Sequence, residues 1–392
     1  MLSQPEPACL ILADITGYTS YLAGVELDHA QDILTDLTNT VVGALRPTFR
    51  LAKLEGDAAF VYAMTESIDA SLLMDTVERT YFAFRRRLRD IAQASICDCN
   101  ACIRMPNLDL KFLAHHGLIG RQRVAGREEL VGSPVIVAHR LLKNSITEQT
   151  GITAYALYTE DCLRAASMDP ASLGLIEHRE AFEHVGEVVG WVSDLGAAWV
   201  AEQARRRVLV EPRNAAATFE FDLPAPPPIV WEILTSPSWR PRWQHDVRQV
   251  IQASETGRRG VGTTNHCVHG KDAVVEEILD WRPPESFTVN SLLPIPNAPK
   301  LRSSDELVET STGTHVTMRF ERPRSAKDRA FMEMALPQFE PAVRAGIEAL
   351  GPLVAEEMAR RAAQDAVPEP AVPASPGRFL TEPVDSAAVR SS

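Results

Sequence analysis

The sequence predicts an α+β protein made of two domains, and three features of its 392 residues predict it. In the first half, short apolar runs alternate with stretches of helical periodicity, which is typical of a sheet covered by helices. In the second half, several strand-like runs precede one long helical stretch, and a charged segment with a proline separates the halves. We expect domains at 1–200 and 215–365, joined by a linker at 201–214 and followed by a disordered, proline-rich tail at 366–392.

The elements of the first domain follow from its apolar patterns. The run Ala8–Ala13 predicts a buried strand that ends in a turn. Apolar residues at 33, 37, 41 and 45 form the stripe of an amphipathic helix. Further strands are expected at 49–54, 58–63, 108–114, 152–158 and 186–192, with more helices at 73–88 and 135–142. Together they predict one mixed sheet with helices on a face.

The second domain begins with a strand at Ala217–Leu223, after which a proline-rich stretch predicts one or two short helices. A long helical stretch runs from Lys327 to Arg361, and the three prolines within it are expected to kink or divide it. Between these elements, strands are expected at 262–269, 273–281, 286–292, 303–309 and 314–321. This order predicts an antiparallel sheet wrapped around one helix.

Composition and charge argue against several classes of protein. Lys and Arg number 40 against 52 Asp and Glu, and the net charge of −12 argues against broad binding to nucleic acid or anionic membranes. No apolar run approaches the roughly 20 residues that cross a bilayer, and the N-terminus lacks a signal-peptide pattern. The clustered cysteines do not resemble a spread disulfide framework. We expect a cytoplasmic protein with no membrane span and no nucleic-acid partner.

Two acidic residues stand at the ends of predicted strands. Asp14 follows the first strand, and Asp57 lies at the tip of the hairpin Glu55-Gly56-Asp57. If these strands are neighbours, two carboxylates meet at one rim of the sheet. Together with the backbone of Gly17-Tyr18-Thr19, they suit a hard cation that holds phosphates. The alternative is that Asp14 caps a turn and Asp57 only belongs to a tight hairpin.

The stretches ADITGYTSYL and KLEGDAAFVYA resemble the class III adenylyl and guanylyl cyclase homology domain, over about residues 6–195. The resemblance implies a ferredoxin-like fold and a purine nucleotide as partner. It implies that Asp14 and Asp57 bind two divalent ions, Mg²⁺ or Mn²⁺, on the triphosphate beside the turn at Gly17, Tyr18 and Thr19. It also implies that Lys53 contacts the purine.

The segment from Glu129 to Arg140 resembles the other half-site of that family. Glu129 stands where the family places a purine-reading acid, and Arg140 where it places the arginine that stabilises phosphate charge. Ile136 replaces an asparagine that donates a hydrogen bond in the transition state, and such a loss costs about 3–4 kcal/mol. Three outcomes stay open: nucleotide binding without turnover, a slow cyclase, or a fold that only dimerises. A complete site in this family requires a homodimer.

A second motif is the C-x-C-x-x-C cluster of Cys97, Cys99 and Cys102. Three thiolates at this spacing suit a structural Zn²⁺ site, with an iron–sulfur cluster as a weaker alternative. The fourth ligand is expected from His116 or its neighbour His115, and Cys9 is a more distant option. Reduced thiols in a loop, or a redox pair, are the alternatives without metal.

Residues from about 215 to 362 resemble the helix-grip superfamily of START-like and polyketide-cyclase-like domains, in element order and in the stretches WEILTSPSWRPRW and VEEILDWRPPESFTV. The resemblance implies a cavity between sheet and helix for an apolar small molecule. Candidate lining residues are Trp231, Trp239, Trp243, Trp281, Cys267 and His269. Ordinary core packing is the alternative for each of them.

These expectations combine into one hypothesis. A degenerate cyclase-like domain binds a purine nucleotide and metal as a homodimer, and a second domain binds an apolar ligand and regulates the first in bacterial signalling. The alternatives are an active homodimeric adenylyl cyclase that forms cyclic AMP from ATP, and a non-catalytic dimerisation scaffold.

Overall fold

The computed structural model describes residues 4–66, 68–94, 99–296 and 298–365. The strands are β1 (Glu6–Thr16), β2 (Arg50–Glu55), β3 (Ala58–Met64), β4 (Asp109–Val124), β5 (Arg127–Val131), β6 (Tyr155–Thr159), β7 (Ile176–Phe182), β8 (Gly186–Asp194), β9 (Ala215–Leu223), β10 (Gln249–Ala253), β11 (Thr264–His269), β12 (Asp272–Arg282), β13 (Ser286–Leu292), β14 (Leu301–Thr310) and β15 (Gly313–Glu321). The helices are α1 (Tyr18–Leu22), α2 (Leu27–Leu45), α3 (Ala70–Ala94), α4 (Asn100–Arg104), α5 (Ser133–Leu141), α6 (Ile146–Thr150), α7 (Glu160–Ala165), α8 (Leu195–Ala204), α9 (Pro227–Thr235), α10 (Arg240–Trp243) and α11 (Ala326–Asp365), with 3₁₀ turns at Met105–Asn107 and Pro212–Asn214.

The first sheet has the strand order β2-β3-β1-β4-β6-β8-β7, and β5 pairs with β4 outside this path. The part β4-β1-β3-β2, connected through α2 and α3, has the order of the ferredoxin-like β-α-β-β-α-β unit. Its pairings are antiparallel, whereas β4 and β6 run parallel. The α+β, ferredoxin-like fold expected for the first domain is confirmed.

Strand β1 is buried on both faces, which explains its continuous apolar run. Its odd-numbered residues, such as Cys9 and Ile11, pack under α2 and α3. Its even-numbered residues, such as Leu10 and Leu12, pack against α5. The sheet therefore lies between two helical layers, and the carboxyl end of β1 is the rim at which Asp14 stands.

The second sheet has the order β10-β11-β12-β13-β14-β15-β9 and is antiparallel throughout. Helix α11 packs on it through buried residues such as Leu350 and Val354. The expected sheet wrapped around a long helix is confirmed, but the expected division of that helix is not observed. Pro337, Pro341 and Pro352 lie inside one continuous helix, and all three are exposed, so water can satisfy the carbonyls that they leave unpaired.

None of the helices in the described part of the chain combines the length and apolar character needed to cross a membrane.

Candidate functional site

The two acidic residues of the first domain meet at one rim of the sheet. In the β1–β3 register Asp14 faces Ala58, the residue that follows Asp57, and the Ile15 amide donates to the Asp57 carbonyl at 3.4 Å. Burial and the nearby Asp14 carboxylate raise the pKa of Asp57. The two carboxyl groups are thus close enough to repel each other, and a cation would relieve that repulsion.

A cation of the chain itself lies at this rim. Lys111 on β4 faces Asp14 in the register, and its Nζ lies 3.1 Å from Oδ2 of Asp14. The same ammonium donates to the Leu142 carbonyl at 3.3 Å, and its charge acts to lower the pKa of Asp57. The two carboxylates fit one hard divalent cation, and such an ion would compete with Lys111. Lys111 was not among the predicted site residues, although a lysine inside the apolar run LDLKFLA is a detectable signal.

The turn after Asp14 depends on Gly17. Its φ of 87° lies in the left-handed region, and a Cβ at this position would approach the Asn107 carbonyl oxygen to 3.6 Å. Tyr18 and Thr19 begin helix α1 directly after it. The turn therefore sits beside the acidic pair, where the sequence predicts it.

The residues expected to read a purine lie at the same sheet, near α5. Lys53 Nζ is 2.8 Å from Oε1 of Glu55 and 3.6 Å from Oε2 of Glu129, so Lys53 and Glu129 come together. His139 Nε2 contacts Oε1 of Glu55 at 2.9 Å. Lys53 donates to Glu55, and this hydrogen bond raises the pKa of Lys53. Glu55 and His139 were not among the predicted site residues.

The residues expected to act on the phosphates are solvent-facing. Arg140 is exposed, and Ile136 is 55% exposed, both on α5. The Ile136 side chain offers no hydrogen-bond donor at this surface.

The cysteine motif has a different histidine partner from the one expected. Cys97 lies outside the described residues, whereas Cys99 and Cys102 both lie next to His29 of α2. His116 is engaged elsewhere, because its Nε2 contacts the Thr65 carbonyl at 2.9 Å.

The other two fourth-ligand options are also occupied elsewhere. Nδ1 of His115 contacts the Thr159 hydroxyl at 2.8 Å. Cys9 is buried in the core, beside Cys162. The structure thus places His29, and not His115, His116 or Cys9, beside Cys99 and Cys102, and the sequence around DHAQD gives no signal for this neighbour.

The second domain encloses a cavity of about 290 Å³ between its sheet and α11. Trp243, Trp281 and His269 line it, together with the apolar residues Leu234, Ile278, Phe287, Val289, Leu301, Phe320, Phe339 and Val343. Three expected lining residues, Trp231, Trp239 and Cys267, do not line it. The Trp239 ring instead lies 4.7 Å from the Arg242 guanidinium. Trp231 packs in the core, 4.7 Å from the Trp281 ring, and Cys267 is fully buried beside Val247 and Val250.

One end of this cavity is polar. Arg240 donates to both carboxylate oxygens of Glu276 at 2.6 and 2.8 Å, and it also donates to Gln244 at 2.9 Å. Asp305 lines the same end, and burial, followed by the charge of Glu276, raises its pKa to about 7. Oδ1 of Asp305 is buried and has no hydrogen-bond partner among the described residues. The cavity therefore contains a carboxyl group whose oxygen a ligand can satisfy.

The two domains are joined by a charged contact. Arg258 precedes β11 and reaches into α3, where its guanidinium contacts Asp75 at 2.6 Å and Glu78 at 2.6 and 2.7 Å. The neighbouring Arg259 amide donates to the Ser71 hydroxyl at 2.7 Å. These side chains are largely buried, so the contact is specific and is not a loose surface pairing.

Trp281 belongs both to the cavity and to this interface. Its ring lines the cavity, and its indole N–H donates to Oδ2 of Asp75 at 3.1 Å. The Arg259 guanidinium lies 5.8 Å from the same ring. A ligand that touches the Trp281 ring thus touches a side chain that is bonded to the other domain.

Two protein families match separate parts of the chain. The family described as polyketide cyclase / dehydrase and lipid transport matches residues 214–355. The second domain is START-like. A family described as a protein of unknown function (DUF2652) matches residues 34–150.

An uncharacterized protein of Mycobacterium tuberculosis is 38% identical over 113 residues, which are 29% of this chain. The matched segment spans about half of that protein, 52% of its length.

Solved structures with a similar fold include two nucleotide cyclases. The guanylyl cyclase Cya2 has 15% identity and a TM-score of 0.38, over 49% of this chain and 93% of its own. The adenylyl cyclase CyaB from P. aeruginosa has 14% identity and a TM-score of 0.34, over 50% of this chain and 96% of its own. The START-like resemblance of the second domain is confirmed by the family match.

Proposed function

We propose that this protein is a small-molecule sensor, in which ligand in the START-like cavity changes the cyclase-like domain. One observation supports the proposal most directly: Trp281 lines the cavity while its indole N–H bonds Asp75 of α3. A ligand that moves this ring by a fraction of an ångström alters a largely buried hydrogen bond between the domains. The interface therefore offers a physical link between binding and response.

The cavity favours an apolar molecule with one hydrogen-bonding group. Most of its lining residues are aliphatic or aromatic, so burial of the hydrocarbon part of a ligand there is favourable. Arg240 and Glu276 satisfy each other, whereas Oδ1 of Asp305 lacks a partner among the described residues. A ligand hydroxyl or amide placed there removes the cost of an unsatisfied buried oxygen, which is about 1–3 kcal/mol.

Helix α3 connects the interface to the acidic rim. Asp75 and Glu78 hold Arg258 near its start, and about two turns beyond Glu78, Arg85 lies 3.7 Å from Asp109 at the beginning of β4. Lys111 follows Asp109 on the same strand and pairs with Asp14. A shift of α3 would therefore affect β4, the strand that carries Lys111, which is the cation beside Asp14.

We propose metal-dependent purine nucleotide binding, without efficient turnover, as the output of the first domain. The proximity of Asp14 to Asp57, and of Lys53 to Glu129, favours it. Ile136 and the pairing of Lys111 with Asp14 argue against efficient catalysis. A homodimer would complete the site, because in the family that the sequence resembles one domain supplies the metals and the other supplies the purine and transition-state groups. Turnover of ATP to cyclic AMP and a purely dimerising scaffold are the competing outcomes.

Two measurements test these proposals separately. For the cavity, titration with the fluorescent apolar probe ANS should give saturable binding that is lost in Val343→Trp, whose added ring fills the cavity. Val308→Trp, at a residue 59% exposed on β14, is the matched control and should bind ANS normally. Equal binding by both variants would refute a cavity site.

For the first domain, calorimetry with ATP and Mn²⁺ should detect binding to the wild type and none to Asp57→Asn. The control Asp246→Asn changes an aspartate whose side chain is 78% exposed and should bind normally. Absence of heat in the wild type would leave the scaffold as the better account. Cyclic AMP production by the wild type would support the active cyclase, and its appearance only in Ile136→Asn would support a decayed active site.

A further inference from the structure

We propose that His29, Cys99 and Cys102 bind a zinc ion that clamps helix α2 to helix α4. Nδ1 of His29 lies 3.3 Å from Sγ of Cys99 and 3.9 Å from Sγ of Cys102. The three ligand atoms all lie within 4.8 Å of one another. They come from segments about 70 residues apart, since His29 is in α2, Cys99 is the N-cap of α4 and Cys102 lies within α4.

The separations match a tetrahedral zinc centre. Zinc binds imidazole nitrogen at about 2.0–2.1 Å and thiolate sulfur at about 2.3 Å. At the tetrahedral angle, these bond lengths place nitrogen and sulfur about 3.6 Å apart. The two measured separations, 3.3 and 3.9 Å, lie on either side of that value. A small rotation of the side chains would bring all three atoms to bonding distance.

The types of ligand atom determine which metal ion the site prefers. Two thiolates and an imidazole prefer zinc to Mg²⁺ or Ca²⁺, which take oxygen ligands. The three side chains leave one position of a tetrahedron for a fourth donor. His29 is exposed and both cysteines are partly exposed, so an ion can reach them from solvent.

Neighbouring groups hold α4 in place for this site. Glu26 accepts a hydrogen bond from the Asn100 side chain at 3.0 Å and from the Ala101 amide at 3.2 Å. The Tyr21 hydroxyl donates to the Ala101 carbonyl at 3.0 Å. Because these contacts fix the first turn of α4 against the start of α2, the two sulfurs face His29 before any ion binds. Such preorganisation is the role of outer groups in metal sites.

A zinc ion here would also support the acidic rim. The 3₁₀ turn after α4 places the Asn107 carbonyl against Gly17, in the turn that follows Asp14. Tying α4 to α2 therefore fixes the segment on which that turn rests. The ion is structural in this account, and it contacts no reacting group.

Elemental analysis of the full chain, purified without chelator, tests the proposal. We expect about one zinc per chain in the wild type and a loss of at least tenfold in His29→Ala and in Cys102→Ser. His184→Ala, at a histidine whose side chain is 83% exposed, is the control and should keep its zinc. Zinc below a tenth of an equivalent in the reduced wild type, or equal zinc in His29→Ala, would overturn the proposal.

If a variant fails to fold, cobalt titration of the wild type still tests the site. Co²⁺ added to reduced, metal-free wild type should give a thiolate-to-cobalt absorption band and the intense visible bands of a tetrahedral ion, saturating near one equivalent. Zinc should abolish these bands. If only the spectrum of hexaaquo cobalt appears at every ratio of Co²⁺ to protein, the site is refuted without the use of any variant.

Discussion

The indole N–H of Trp281 donates a hydrogen bond to Oδ2 of Asp75 across the contact between the two domains, with a length of 3.1 Å. Both side chains are largely buried, at 5% and 7% exposure. The same Asp75 carboxylate accepts from Arg258 through its other oxygen, so the two bonds are made in one cluster. The ring that forms part of a ligand cavity is thus fixed by the domain that it would regulate.

The Arg258 contact should dominate the stability of the domain interface. In Arg258→Ala, Asp75 and Glu78 would lose their shared cation in a largely buried place, which should lower the free energy of unfolding by about 3 kcal/mol or more. Arg86→Ala is the control, since Arg86 and Glu285 are 38% and 51% exposed and their pairing should contribute less than about 1 kcal/mol. Urea denaturation measures both. Equal losses in the two variants would contradict the assigned role of Arg258.

Asp305 should make stability fall as pH rises. Its pKa is raised by burial from an ordinary 3.8 to about 7, so between these values the folded chain holds a proton that the unfolded chain releases. The free energy of unfolding should therefore fall by up to about 1.4 kcal/mol per pH unit in this window. In Asp305→Asn, the free energy of unfolding, measured by denaturation at pH 5, 6 and 7, should fall less steeply as pH rises. Identical slopes in the two proteins would show that Asp305 does not titrate in this way.

Lys111 should compete with divalent ions for the acidic rim. Replacing it in Lys111→Met removes the ammonium 3.1 Å from Asp14, so the affinity for Mn²⁺ with ATP should increase by about tenfold, measured by calorimetry. Without metal, the variant should be less stable, because Asp14 and Asp57 lose their cation. Lys300→Met, at a side chain 62% exposed, is the control and should change neither quantity. Weaker Mn²⁺ binding in Lys111→Met would mean that Lys111 helps to hold the nucleotide.

Much of the fold could be predicted because it depends on local pattern. The apolar run of β1 and the stripe of α2 are visible in the sequence, and both form as expected. Strands β5 and β7 were not predicted, because REELV and IEHREAF are charged, at least partly exposed segments whose pairing depends on neighbouring strands. Strand β10 was missed for a similar reason.

The candidate sites were predictable only where a motif is contiguous. Asp14 and Asp57 were found because each stands in a recognisable stretch. His29, Asp305 and Lys111 act through partners about 30 to 100 residues away, and no local spacing marks such pairs. The contact of Trp281 with Asp75 spans 206 residues and exists only because the domains pack together.

Hydrogen exchange of α3, with and without saturating ANS, tests the sensor most directly. In the wild type, the probe should change exchange of the amides in Ala70–Ala94, because the Trp281 ring that lines the cavity is bonded to Asp75. In Trp281→Phe, the probe should still bind while exchange in α3 stays unchanged; Trp239→Phe should behave as the wild type. Unchanged exchange of α3 in the wild type, with the probe demonstrably bound, would contradict the proposed link between the cavity and the first domain.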